Sequence, residues 1–144
     1  MSREFHDDDL ESVLKQDGVR VVDAFSAVNL PHASLRQIKK RMGKPPWATR
    51  IIYNEIFGGV LICQNPGEGN RLHFHSDADE CWVILEGEWE WFIDGVGSQK
   101  VKKGDIVVVK KGTKHLIKCI GKRPAIRLAI TKPDVDHVYA DEDR

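Results

Sequence analysis

Four side chains able to bind a metal ion stand at spacings that short strands can bring to one point: His73, His75, Glu80 and His115. On a strand, residues i and i+2 face the same way, so the imidazoles of His73 and His75 can share a target while Phe74 faces away. Glu80 follows a turn, SDAD, that lets its carboxylate fold back beside the histidines. His115 opens the apolar run HLIKCI directly after the turn KKGTK, where a neighbouring strand can deliver it to the same cavity. Three neutral imidazoles and one carboxylate suit Fe, Mn, Ni, Cu or Zn, whereas Mg and Ca take mostly oxygen ligands. Four protein ligands on an octahedral ion leave two positions for water, dioxygen or substrate, an open arrangement that fits catalysis better than a structural role.

Such a site needs strands to carry it. From Thr49 onward the sequence consists of short runs rich in Val, Ile, Trp and Tyr, separated by Gly, Asn and Asp: RIIYNEI, GVLICQN, LHFH, ECWVILEG, EWEWFIDG, QKVKKG, DIVVVKKG, HLIKCI and IRLAITK. Evenly spaced short strands with glycine-marked turns indicate an all-β antiparallel sandwich or barrel. The first 48 residues read differently. Asp8 or Asp9 can cap a helix carrying Leu10, Val13 and Leu14 that Gly18 stops, and VRVVDAF then reads as a brief strand. Ser34 can cap a second helix in which Leu35, Ile38 and Met42 recur at helical spacing before Gly43 and Pro45-Pro46 end it. The expected division is a helical decoration over residues 1–48 that covers an edge or mouth of the barrel, the β-barrel over 49–135, and a frayed acidic tail over 136–144.

An HxH pair alone carries little weight, but here it sits in a longer pattern. Gly67, His73, His75, Glu80 and Gly87 form one block, and Gly104, Gly112 and His115 a second. The two blocks resemble the two sequence motifs of the cupin superfamily, the first supplying two His and a Glu and the second the last His. Lys110 stands where the family usually has Pro, and Cys119 where it often has Asn; neither is a ligand position. The resemblance covers about residues 57 to 131 and implies a cupin-type double-stranded β-helix, a jelly-roll barrel, with one divalent metal held in its mouth by His73, His75, Glu80 and His115.

Strand parity nominates residues around the ion. Trp82 shares the face of Glu80 and is a candidate pocket wall, while Cys81, Val83 and Leu85 face outward. Arg71 has the parity of His73 and His75 and is a candidate for holding an anionic substrate; Arg50, Tyr53 and Arg127 are further candidates for the barrel lining. Trp89 and Trp91 share one strand face, which is either core or a partner surface. Cys119 has the phase of His115 but lies about 13 Å along the strand, too far to be a ligand.

Composition narrows the classes of function. Lys plus Arg and Asp plus Glu both number 22, so there is no excess positive charge for a nucleic-acid backbone, and the lysines between Lys100 and Lys114 read as solvated turns. No recognisable DNA-binding helix pair is present in the N-terminal segment. No apolar run approaches the roughly 18 residues of a membrane span, and three cysteines without CxxC spacing point to free thiols; the expectation is a cytoplasmic protein. The outward apolar positions Val83 and Leu85, and the Trp89/Trp91 face, suggest a homodimer. The expected function is non-haem iron dioxygenase-type chemistry on a small anionic molecule, with Fe(II) the favoured ion and Glu80 the catalytic carboxylate. The alternatives are a metal-dependent isomerase or lyase acting on a sugar or keto acid, and a non-catalytic metabolite-binding cupin.

Overall fold

Alternating burial along the central strands shows how the sequence makes a two-sided sheet. In β6 (Glu80–Glu86) Glu80, Trp82 and Ile84 turn inward; in β7 (Glu88–Ile93) Trp89, Trp91 and Ile93 do the same. Period-two alternation of this kind places one face of each strand in a shared core. The computed structural model describes residues 3–139, and its strands form two six-stranded sheets. The first runs β1 (Arg3–His6), β12 (Asp136–Tyr139), β5 (His73–Phe74), β10 (His115–Ile120), β7, β8 (Gly97–Lys102). The second runs β2 (Val21–Asp23), β3 (Trp47–Tyr53), β4 (Gly58–Gln64), β11 (Ala125–Thr131), β6, β9 (Ile106–Val109).

From β4 on, the chain crosses repeatedly between the sheets, and all pairings except β2 with β3 are antiparallel. This is the jelly-roll architecture expected from the motifs. Trp82 and Ile84 from one sheet interleave with Trp89, Trp91 and Ile117 from the other to make the central core. At the turn from β6 to β7, Gly87 has φ 76°, and a Cβ there would lie 2.4 Å from the Ala125 Cβ. Only glycine fits this crossing.

Two helices complete the fold. In α1 (Leu10–Gln16), Leu10 and Leu14 pack on Val19, Ala48, Val60 and Ile62. In α2 (Leu35–Met42), Ser34 Oγ accepts from the Gln37 backbone N–H at 3.3 Å, and Ile38 packs against Trp47, Leu61, Cys63 and Ile126 on the outer face of the second sheet. No helix among the described residues is long and apolar enough to cross a membrane. Cys63, Cys81 and Cys119 are free thiols, the first and last buried.

Three expectations are corrected. The segment from Asp136 to Tyr139 is not part of a frayed tail: it is β12, inserted between β1 and β5, and the rest of the expected tail lies outside the described residues. Val135 and Tyr139 anchor it in the core, outweighing the polar residues between them. The first 48 residues are more than helical decoration, because β1 and β2 each extend a sheet. Trp89 and Trp91 are fully buried and offer no partner surface, since the inward face of β7 is the barrel interior.

Candidate metal centre

The four motif residues converge at one end of the barrel. His73 and His115 are cross-strand partners on β5 and β10, and Glu80 pairs with Thr131 at the start of β6. The turn before β10 is tied to the first motif by the Gly112 N–H, which donates to the His75 carbonyl at 2.6 Å. A ligand atom from each of His73, His75, Glu80 and His115 lies within 4.8 Å of every other, and all four residues are buried.

Hydrogen bonding at the back of each ring sets what faces the centre. His73 Nδ1 donates to the Arg71 carbonyl at 2.7 Å, His75 Nδ1 to the Asp136 carbonyl at 2.5 Å, and His115 Nδ1 to the Thr113 carbonyl at 3.0 Å. A carbonyl only accepts, so each Nδ1 carries a proton and each ring turns its Nε2 toward the centre. Second-layer bonds of this type fix ring orientation in metal sites. The His75 and His115 Nε2 atoms and Glu80 Oε1 are buried without a hydrogen-bond partner. His75 Nε2 stands 2.5 Å and His115 Nε2 3.7 Å from Glu80 Oε1. Acceptors facing one another this closely could share a cation, and the donor set of three imidazoles and a carboxylate fits a divalent transition metal.

The electrostatics describe the same demand without the ion. Burial, reinforced by His115, His75 and His137, holds His73 well below the ordinary histidine value. Burial also lowers His75, but the Glu80 carboxylate more than offsets it and raises His75 to about 9. Burial raises Glu80, yet His75 and His115 hold it well below the usual carboxylate range. In the metal-free protein, one proton thus occupies the His75–Glu80 pair, in the place a cation would take.

Two residues beside the centre were not legible as site residues. His137, on β12, stacks on His73 with ring centroids 5.3 Å apart and meets His75 edge-on at 4.6 Å. Asp136 holds the ligand loop: its Oδ1 accepts from the Ser76 N–H at 2.7 Å, and its Oδ2 bonds the Ser76 hydroxyl. The pattern Val135, His137, Tyr139 is a period-two signal that could have revealed the strand. Asp7 is a third, missed because it enters from the N-terminal segment. It lines, with Glu80, His137, Leu10, Leu14 and Thr131, a cavity of about 40 Å³.

The candidate substrate residues lie elsewhere. Arg50 donates from Nη2 to the Asp7 carbonyl at 2.8 Å and stacks 4.0 Å over the Tyr53 ring. The Tyr53 hydroxyl donates to Asp134, which raises its pKa to about 12. Arg71 lies over the Tyr139 ring at 4.5 Å and binds Gln16. Arg127 is in the core, bonded to Gln64 Oε1 at 2.6 Å and stacked over Trp89, and burial lowers its pKa to about 10. Trp82 is 2% exposed, its ring edge-on to His115 at 5.2 Å and to Trp91 at 5.0 Å, so it supports a ligand as part of the core. No arginine or lysine lines the cavity among the described residues.

Residues 60–131, half of the chain, match the family of the cupin domain. The chain is a cupin. The likeness of this cupin to quercetin 2,3-dioxygenase of Bacillus subtilis (strain 168) is 28% identity over 86 residues, which is 60% of this chain and 25% of that protein. The chain therefore spans about a quarter of the length of that curated relative. Among solved structures, an uncharacterized conserved protein with a double-stranded beta-helix domain from Klebsiella pneumoniae shares the fold, with TM-score 0.62, 21% identity, and coverage of 74% of this chain and 92% of the other. A cupin-superfamily sugar phosphate isomerase from Silicibacter pomeroyi aligns with TM-score 0.50 and 26% identity over 54% of this chain and 50% of the other.

Proposed function

We propose that this cupin is a metal-dependent oxidoreductase of the dioxygenase type, holding one Fe(II) through His73, His75, Glu80 and His115 and acting on a small molecule. The observation that carries the reading is the convergence of three imidazoles and a carboxylate within 4.8 Å of one another, with His75 Nε2, His115 Nε2 and Glu80 Oε1 buried and without a hydrogen-bond partner. A redox-active ion held by these four residues would supply dioxygen-activating chemistry. The chain's own residues do the rest. The Nδ1 bonds to Arg71, Asp136 and Thr113 fix the rings, Trp82 walls one side of His115, and Leu10 and Leu14 exclude water. The resemblance to quercetin 2,3-dioxygenase supports the oxygenase class.

A second reading, metal-assisted isomerisation or lyase chemistry, is favoured by the likeness to the sugar phosphate isomerase and by a second carboxyl, Asp7, in the cavity with Glu80. There a base moves a proton and no oxidant is used. A ligand found by thermal-shift screening, where binding to the folded state raises the melting temperature, separates the two. Turnover by the iron-loaded protein should consume dioxygen in fixed proportion to substrate; undiminished product in an anaerobic chamber would reject the oxygenase and leave the isomerase or lyase.

We also propose that the cupin acts as a homodimer in the cytoplasm. Ile106 and Val108 on the edge strand β9 are exposed beside Cys81 and Val83 of β6, an apolar edge that a second copy would cover. Leu85 instead packs under α2. Sedimentation should give a dimer that Ile106→Lys dissociates; a wild-type monomer rejects it. Free thiols fit a reducing compartment.

A further inference from the structure

We propose that Asp7 completes the small cavity that Glu80 shares with the metal centre: carried in by the N-terminal segment, its carboxyl hydrogen-bonds the polar end of a small, uncharged ligand seated beside Glu80. This rests on the metalloprotein reading and names the kind of molecule the site takes.

Asp7 is the first of three consecutive aspartates, and it alone is buried: Asp8 and Asp9 are exposed, while Asp7 is 6% exposed. Its backbone carbonyl is gripped by Arg50, which pins the segment against β3. Among the described residues, nothing hydrogen-bonds its carboxyl. The carboxyl stands at the cavity wall, with Oδ2 3.8 Å from the position a Cβ on Gly58 would take. A buried carboxyl without a partner is costly to the fold, and the cost is least when it carries its proton. Burial, reinforced by Glu80 and Asp134 and opposed by Arg50 and His75, raises Asp7 to about 7. Glu80 in the same cavity is held far lower. Two carboxyls whose acidities are pushed apart divide the work: the ionised one faces the cation, and the proton-bearing one is left for a ligand atom.

The walls define the ligand. Leu10, Leu14, Val60 and Ile62 are apolar, and about 40 Å³ is little more than the share of one water molecule in the liquid. An anion would meet two carboxyls there and no arginine or lysine. The geometry therefore points to a neutral molecule of a few heavy atoms, or the small neutral end of a larger one, bearing an atom that can accept or share the Asp7 proton.

Nitric oxide is the probe, a neutral diatomic that binds Fe(II) in the place of dioxygen. On the full-length iron-loaded protein, the N–O stretch should move between H2O and D2O because the Asp7 proton exchanges. Asp7→Leu should abolish that isotope shift and weaken nitric oxide binding about fivefold, with iron content unchanged because Asp7 is not a ligand. Asp7→Asn, which keeps a donor, should restore most of the affinity. An N–O stretch and affinity the same in Asp7→Leu as in wild type overturn the proposal. The metal-free protein gives an independent arm. Removing an unpartnered buried carboxyl should raise the melting temperature of Asp7→Asn by roughly 3 °C; a fall instead makes Asp7 a structural residue and overturns the proposal. This arm needs no iron, so a chain that binds none fails the metalloprotein reading while Asp7 is still judged.

Discussion

The two ends of the barrel are built on opposite plans. At one end, β5, β6 and β10 begin with His73, Glu80 and His115, which converge with His75, and Glu80 also lines a small adjoining space of about 40 Å³. At the other, the same strands β6 and β10 run out into Gly87 and Gly121, and the loops open a cleft of about 580 Å³ lined by Lys102, Lys103, Lys122 and Arg123 with Glu88. The larger space has the weaker case as the site. Its cations are exposed and hydrated, so each is satisfied by water and gains little from a ligand. Beside the smaller space His75 Nε2, His115 Nε2 and Glu80 Oε1 are buried without a hydrogen-bond partner, and a bound cation would satisfy them.

The strongest test of that contrast is substitution at each end. His73→Ala, His75→Ala, Glu80→Ala or His115→Ala should each weaken divalent metal binding by more than about 100-fold, with the strand signal in circular dichroism kept because the core is formed by Trp82, Ile84, Trp89, Trp91 and Ile117. Lys102→Ala with Lys103→Ala should leave metal content unchanged. Elemental analysis reads both, and equal metal in all variants would end the four-ligand assignment.

Next in size is the effect of pH. In the metal-free protein His75 is raised to about 9, so near neutrality it holds a proton that the metal must displace. Affinity should climb about tenfold per pH unit toward 9 and flatten beyond, with close to one proton released per ion at pH 7. The sign for folding is the reverse. The raised His75 value contributes stability to the metal-free chain below the unfolded value of 6.5, and that contribution is lost as pH rises through about 9. Calorimetry in two buffers of different ionisation heat measures the released proton; no proton release would mean that His75 is not the ligand displaced.

The smallest expected effect sharpens the boundary of the site. Asp136→Ala removes the bonds to Ser76 and loosens the loop behind His75, so metal affinity should fall about tenfold while the site still forms. A metal titration showing no change would reduce Asp136 to a sheet residue.

What the sequence disclosed follows from how far apart the cooperating residues lie. His73 with His75, and Glu80 with Trp82, are related by the two-residue repeat of a single strand, so spacing alone announced their faces. His115 was legible because its turn glycine, Gly112, sits a fixed step before it. Asp7, Asp136 and His137 reach the centre through pairing of β1 with β12 and of β12 with β5, contacts made between segments more than 60 residues apart. Asp7 stands in the run Asp7-Asp8-Asp9, and an acidic run reads as solvated surface until a partner strand covers it. For the arginines parity gave the side of the sheet but not the depth: Arg127 lies in the core with Gln64, while Arg50 and Arg71 brace the N-terminal segment.

The ladder between β1 and β12 joins four residue pairs, Arg3 with Tyr139 through His6 with Asp136, and β1 has no neighbour on its other side. Closing a loop of that length is entropically expensive and is rewarded by one short ribbon. The mouth therefore has its own, lower unfolding free energy than the interior, and amide protons of β1 should exchange with solvent well before those of β4, which is flanked on both sides. Exchange at this edge would report how often the strand next to Asp7 loosens while the barrel stays folded.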